Sequence, residues 1–314
     1  MSVCYVGIDT SNYTTSLAAC DEDGRIFANL KIPLPVKLGQ RGLRQSEAVF
    51  EHVRNLPVLM QELARATEGY TPVAVGVSVR PRDAEGSYMP CFLAGKSAAY
   101  AFASCQGLKV HELSHQNGHI MAALYSADKQ ELLKSERFLA FHVSGGTTEA
   151  LLVRPEDGAF SVELVANTAD IKAGQAIDRV GVAMGLKFPC GAELERLAAD
   201  YTGKVRSQPV CVRDGICSLS GVENIAERIY KESGDKKAAA AFVFDFLERT
   251  LEKMCTDVMA KHGDMPVVFA GGVMSNRLMR DRLCSRFDAY FSEPAFSADN
   301  AAGIALLCRR KEIL

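Results

Sequence analysis

Two histidines four residues apart, His115 and His119, are the first residues in this chain whose types and spacing could do chemistry. On a helix such a pair shares one face, with β-carbons about 6 Å apart. That spacing suits two imidazoles on one divalent cation, and a third ligand is needed to complete a site. Asp299, in Ser297-Ala-Asp-Asn300 before the last helix, is a candidate for that ligand and equally for an ordinary N-cap. A second chemistry is anion binding. The apolar run Phe138 to Val143 breaks at Ser144-Gly145-Gly146-Thr147 and resumes at Ala150. Paired glycines between strands permit positive φ and let backbone N–H groups approach a phosphate without a charged side chain. Gly271-Gly272 ends another short apolar run, and Asn276 just inside the next helix would face whatever those glycines cradle. Near the N-terminus, Tyr5-Val-Gly-Ile-Asp9 enters the polar turn Thr10-Ser-Asn-Tyr13-Thr14, which offers Asp9 and Tyr13 as candidate catalytic groups.

The elements that must hold these residues read as a repeat. Strand, polar turn, strand and third strand occur twice, with third strands at Arg25 to Pro33 and Ala159 to Val165, and helices and strands alternate after each. Two copies of β-β-β-α-β-α predict an α/β protein with two lobes facing each other across a cleft. The expected partition is 1–112 as N-terminal lobe, 113–137 as a connection bearing the histidine helix, and 138–314 as C-terminal lobe with a helical insertion over about 167–262. Lys31 to Arg44 reads as a surface loop. A helix from Ser46 is expected to bury Val49, Phe50, Val53, Leu56, Met60 and Leu63 and to kink at Pro57. Arg80 to Cys91 follows the buried strand Val73 to Val79 as a loop at a strand's carboxyl end, where α/β sheets place ligands. Gly118 inside the histidine helix costs about 1 kcal/mol against alanine, which implies a close approach to its backbone. Asp170 is expected to start a helix that carries Asp178, and Ala192 to Tyr201 another that carries Glu195.

Composition bounds the function. A chain of 314 residues, 48% hydrophobic, can bury substantial cores. A formal charge of −2 and a pI near 6.3 do not describe a strongly basic nucleic-acid binder. Met1-Ser-Val-Cys4 runs straight into a strand, and no apolar run reaches membrane-spanning length, so no signal peptide and no membrane partner are expected. Ten cysteines without a Cys-x-x-Cys pair read as reduced thiols of a cytoplasmic protein, with Cys4, Cys20, Cys105, Cys255 and Cys308 in apolar patterns.

Several motifs, taken in order, resemble one family. Gly7-Ile-Asp-Thr-Ser11, His115-Gln-Asn-Gly-His119, Val143-Ser-Gly-Gly-Thr147, Ala173-Gly-Gln-Ala-Ile-Asp178, Pro189 to Glu195, Ser218-Leu-Ser-Gly221, Gly271-Gly-Val-Met-Ser-Asn276 and Ala298-Asp-Asn300 are similar to those of tRNA N6-adenosine threonylcarbamoyltransferases. The resemblance implies the duplicated fold of sugar kinases, actin and heat-shock ATPases, with mixed sheets and a central cleft. By position it implies one divalent metal ion, iron or zinc, on His115, His119 and Asp299. It also implies adenylate or ATP-type nucleotide contacts at Ser144, Gly145, Gly146, Thr147, Asp178, Gly191, Glu195 and Asn276. The implied reaction moves a threonylcarbamoyl group from threonylcarbamoyl-AMP to N6 of adenosine 37 in tRNA. Accessory subunits or a heterodimer with another family member are the implied partners.

The chain departs from the family at the first turn, where Tyr13 and Thr14 stand in place of an acidic pair. A phenol serves as a base at neutral pH only if its pKa of about 10 falls by several units. Thr147 replaces His or Asn, Cys190 replaces Gly, and residues 80–92 are longer and more polar than the usual turn. Two other functions fit the same fold: a non-catalytic nucleotide-binding scaffold that pairs with a true family member, and a kinase-like ATPase.

Overall fold

The computed structural model describes residues 2–11, 13–35, 43–297 and 300–314. Asp299 and the middle of the loop expected over 31–44 lie outside the described residues. The chain forms two compact units: Met1–Lys134 with Arg154–Ser161 and Ala295–Leu314, and Ser135–Val153 with Val162–Pro294.

In the first unit, β1 (Ser2–Thr10), β2 (Thr14–Asp21) and β3 (Ile26–Pro33) form an antiparallel meander. The chain then crosses through α1 (Gln45–Ala66) to β4 (Tyr70–Arg80), parallel to β1, and through α2 (Phe92–Gln106) to β5 (Lys109–Ser114), parallel to β4. The strand order is β3-β2-β1-β4-β5. Central β1 is buried from Cys4 through Thr10, as expected of a strand covered on both faces. On one face Val6, Ile8, Val75 and Val77 pack with Leu56, Leu59 and Leu63 of α1 and Ala99 and Ala103 of α2. The core face of α1 is Ala48, His52, Leu56, Leu59 and Leu63, whereas Phe50 and Val53 are exposed. The helix is thus rotated from the expected stripe: a histidine with buried hydrogen-bond partners displaces two apolar residues from the interior. It runs on through Pro57.

The other face of this sheet is covered by α10 (Ala302–Ile313), which also packs on α3 (His115–Ser126). Glycines permit it. A β-carbon on Gly7 would lie 2.5 Å from Ala305 N, and one on Gly76 2.8 Å from Ile304 O. A β-carbon on Gly303 would overlap the carbonyl oxygen of Gly118 and lie 2.8 Å from Ala122 N. The close approach implied by Gly118 is this helix crossing. Chain order alone would group α10 with the later elements, but its packing returns it to the first unit.

The second unit repeats the topology. β6 (Phe138–Val143) pairs antiparallel with β7 (Thr148–Glu156), β8 (Ala159–Thr168) follows, and β11 (Val267–Ala270) and β12 (Ala289–Phe291) add in parallel. The order β12-β11-β6-β7-β8 is the first unit's pattern again, extended by β10 (Ile216–Ser218) and β9 (Cys211–Arg213). Between β8 and β11 lie α4 (Ala173–Ala183), α5 (Gly191–Ala199), α6 (Gly221–Ser233) and α7 (Lys236–His262). α8 (Arg277–Arg286) precedes β12, and the short α9 (Pro294–Ser297) follows it. α7 buries Phe242, Phe246, Leu247, Leu251, Met254 and Val258, the face its periodicity predicts. All ten cysteines are free thiols, and Cys105 is exposed rather than buried.

Asp170 does not start a helix. Its Oδ1 accepts from Leu219 N (2.8 Å) and its Oδ2 from Ser218 Oγ (2.5 Å) and Ser220 N (3.0 Å), so it fastens the chain before α4 to the turn between β10 and α6. Burial works against its charge, but these donors outweigh it and hold the carboxyl well below the usual carboxylate range.

Two stability measurements check this packing. Gly303→Ala should destabilise by about 1–3 kcal/mol through overpacking against Gly118, while Gly221→Ala, whose β-carbon meets nothing within 4 Å, should be near neutral in thermal denaturation. Asp170→Asn should lower the midpoint at neutral pH by about 2–4 °C, roughly 1 kcal/mol in a domain of this size. Because the folded-state pKa is depressed, wild type's advantage should be complete at neutral pH and fade as pH falls below about 4.

Candidate metal and nucleotide sites

In the first unit Asp9, the last residue but one of β1, is completely buried. The Ser78 hydroxyl of β4 donates to its Oδ1, and His115 Nδ1 lies 2.9 Å from the same oxygen. A carboxylate only accepts, so Nδ1 carries the hydrogen, and in the neutral ring Nε2 keeps its lone pair. A carboxylate behind a histidine in this way fixes tautomer and ring orientation, as it does for metal-bound histidines. The His115 and His119 rings stand edge to face, with centroids 4.3 Å apart. This donor set fits a divalent cation: neighbouring imidazoles on one helix face, one of them already held in the ligating tautomer. Among the described residues no group of three His, Cys, Asp or Glu forms a cation site, and Asp299 lies outside them. Asp9, read from the sequence as a catalytic candidate, is buried, and its Oδ1 is engaged by Ser78 and His115.

The turn after Asp9 is anchored by His52, which sequence reasoning passed over. His52 Nε2 is 2.8 Å from Ser11 O and Nδ1 is 2.8 Å from Thr15 Oγ1. The carbonyl can only accept, so Nε2 donates to it, Nδ1 accepts from Thr15, and Asn55 Nδ2 donates to Thr15 Oγ1 at 3.1 Å. Burial pushes the His52 pKa down and favours this neutral form. Tyr13, in the turn so held, is 45% exposed, so its ring is open to solvent.

In the second unit, Ser144 to Thr147 joins β6 to β7. Neither Gly145 nor Gly146 adopts a positive φ, and a β-carbon on either meets nothing within 4 Å. Their bare faces are open space, so neither conformation nor internal packing demands glycine there. The turn's own donors are partly engaged: Ser144 Oγ accepts from Gly146 N (3.2 Å) and Thr147 N (3.0 Å). Two N–H groups of the turn read as an anion-binding candidate are thus engaged within the turn itself. Gly174, at the start of α4, brings that helix onto the turn, since its β-carbon would lie 2.7 Å from Gly145 N.

The remaining residues gather around α5. Asp178 Oδ1 accepts from Cys190 N at 2.8 Å, directly before Gly191 opens the helix, and Cys190 packs its sulfur on Gly181. Burial, then the Asp178 charge, pushes the Cys190 thiol up. One turn along α5, Glu195 Oε1 accepts from Arg277 N at 2.8 Å, the first residue of α8. Asn276 caps α8 by accepting from Met279 N at 2.9 Å, so it stands before the helix rather than inside it. Its Nδ2 is buried with no partner among the described residues. A buried amide donor left unpaired costs about 1–3 kcal/mol, and a bound acceptor would recover it. Gly271, at φ +101°, presses on the carbonyl of Val143 and links this cap to the end of β6.

Comparison with known structures places the fold. The (R)-2-hydroxyglutaryl-CoA dehydratase component A of Acidaminococcus fermentans superposes with TM-score 0.55 at 15% identity, over 99% of this chain and all of that one. Full-length HypF in its phosphate- and nucleotide-bound form gives 0.59 at 14% identity, over 99% of this chain and 55% of that one. A ROK family glucokinase from Streptomyces griseus, in complex with glucose and AMPPNP, gives 0.52 at 15% identity, over 98% and 99%. The fold is α/β with mixed sheets, that of sugar kinases and actin-like ATPases. The sequence family tRNA N6-adenosine threonylcarbamoyltransferase (TsaD) matches residues 40–306, most of the chain and all the sites described except the first turn and Asp9. The chain belongs to the tRNA N6-adenosine threonylcarbamoyltransferase family.

Proposed function

We propose that this chain transfers a threonylcarbamoyl group from threonylcarbamoyl-AMP to the N6 amine of adenosine 37 in a tRNA, or to a related amine acceptor. The amine nitrogen attacks the carbamoyl carbon, the bond from that carbon to the phosphate oxygen breaks, AMP departs and the amine proton passes to solvent. No covalent protein intermediate is needed. Ser144, whose hydroxyl accepts from two backbone N–H groups, braces the turn and need not be a nucleophile. His115, His119 and Asp299 would hold a divalent ion, iron or zinc, which when bound supplies Lewis acidity toward the carbamoyl oxygens.

The observation that carries this reading is the bond from buried Asp9 to His115, which keeps one imidazole nitrogen ready to ligate. Asn276 would give its unpaired Nδ2 to the adenylate, and Asp178 and Glu195 would each turn a second carboxylate oxygen to a ribose hydroxyl. The open faces of Gly145 and Gly146 leave room for a phosphate. An exposed apolar strip on α1, Phe50, Val53 and Val58, supports docking of a second family member or an accessory subunit.

Purified chain incubated with threonylcarbamoyl-AMP and unmodified tRNA should yield the modified nucleoside by mass spectrometry, and His115→Ala should remove both metal content and activity. Release of AMP with tRNA left unmodified would assign another acceptor. In calorimetry with AMP, Asn276→Ala should weaken binding about tenfold, the equivalent of one lost hydrogen bond to a buried donor. Unchanged affinity would remove Asn276 from the nucleotide site.

A further inference from the structure

The loop after β4 reaches the first turn of the histidine helix and binds it at three points. Asp83 Oδ2 accepts from Ser114 Oγ and from Asn117 Nδ2, each at 2.6 Å. Pro81 O accepts from Gln116 N at 3.0 Å. Ser114, the N-cap of α3, in turn accepts from Asn117 N at 3.2 Å. The opposite side of the Asp83 carboxylate is held by Arg80, with Nε 2.7 Å and Nη2 2.6 Å from Oδ1. These contacts satisfy two of the N–H groups that a helix start leaves without an intrahelical acceptor, and they set a negative charge at the positive end of the helix dipole. Asn117, between the two histidines, is only 2% exposed, and its amide nitrogen is committed to Asp83.

We propose that Asp83 is a positioning residue for the His115–His119 pair: it locks the first turn of α3 in the register that points both imidazoles at one cation. Asp9 fixes the ring of His115 from behind, and Asp83 fixes the backbone that carries it. Loss of Asp83 frees Ser114 and Asn117 together, the turn frays, and the two rings no longer share a fixed geometry. The inference rests on the metal reading given above, and the test separates the two.

The experiment titrates zinc into wild type, Asp83→Ala and Asp83→Asn, using the full chain with a competing chromophoric chelator. It adds metal-free melting curves and amide hydrogen exchange on α3. The Asp83 side chain is 32% exposed, so its replacement leaves the core intact. Asp83→Ala should lower zinc affinity about 10–100-fold, the range expected when a ligand's support is removed. The metal-free midpoint should stay near that of wild type, while exchange at Gln116 and Asn117 becomes faster. Asp83→Asn, which keeps an oxygen for Ser114 and Asn117, should recover most of the affinity. Equal zinc affinity in wild type and Asp83→Ala would overturn the proposal. If wild type binds no zinc, the metal reading fails, and the exchange arm still decides: unchanged protection of α3 in Asp83→Ala would overturn the clamp.

Discussion

A carboxylate taken entirely out of water must be repaid by donors that fit it, and Asp9 is the place in this chain where that requirement is strictest. Desolvating such a charge without partners costs several kcal/mol or forces the group to take up a proton. Here the compensation comes from Ser78 on the neighbouring parallel strand and from His115 on the helix that follows β5. One charge therefore ties together β1, β4 and α3. The same bond sets which nitrogen of the His115 ring faces Asp9 and which faces away from it.

The helix that presents the histidines is then squeezed from both ends of the problem. Asp83 and Pro81 hold its first turn, and Gly303 lies against the carbonyl of Gly118 in the middle. A side chain at either glycine would lift α3 away from α10 and from the sheet beneath. In the second unit the corresponding economy is made with polar caps. Asn276 begins α8, Glu195 reaches across from α5 to the same helix start, and Asp178 receives the N–H of Cys190 before α5. Each of these residues satisfies a backbone N–H group with one side-chain oxygen, so three helix starts or approaches are fixed by polar caps.

Much of this was legible in the sequence, and the reasons differ by level. Apolar periodicity reports burial directly, so the repeated three-strand start stands where the pattern puts it. Gly118 announced a close approach, although only the structure shows that the approaching element is the last helix. The pattern failed where a polar side chain took an interior position. His52 turned α1 away from its apolar stripe because buried Ser11 and Thr15 offered it two hydrogen bonds, a gain that no hydropathy count records. Asp170 has the composition of a helix start but binds a turn 48 residues later. The Ser144 turn shows the remaining limit: glycine pairs signal freedom of conformation, whereas here they take ordinary φ values and leave space instead.

The placement of α10 has a consequence for how the molecule is made. On the ribosome, strands β1 to β5 emerge before the second unit, yet the surface formed by Gly7, Gly76 and Gly118 has no cover until Ala302–Ile313 has been translated. The second unit, with its elements contiguous apart from the hairpin tip at Arg154–Ser161, can close its own interior earlier. The first unit is therefore completed only by an element encoded after the second unit, and until then the histidine helix lacks the neighbour that packs on Gly118.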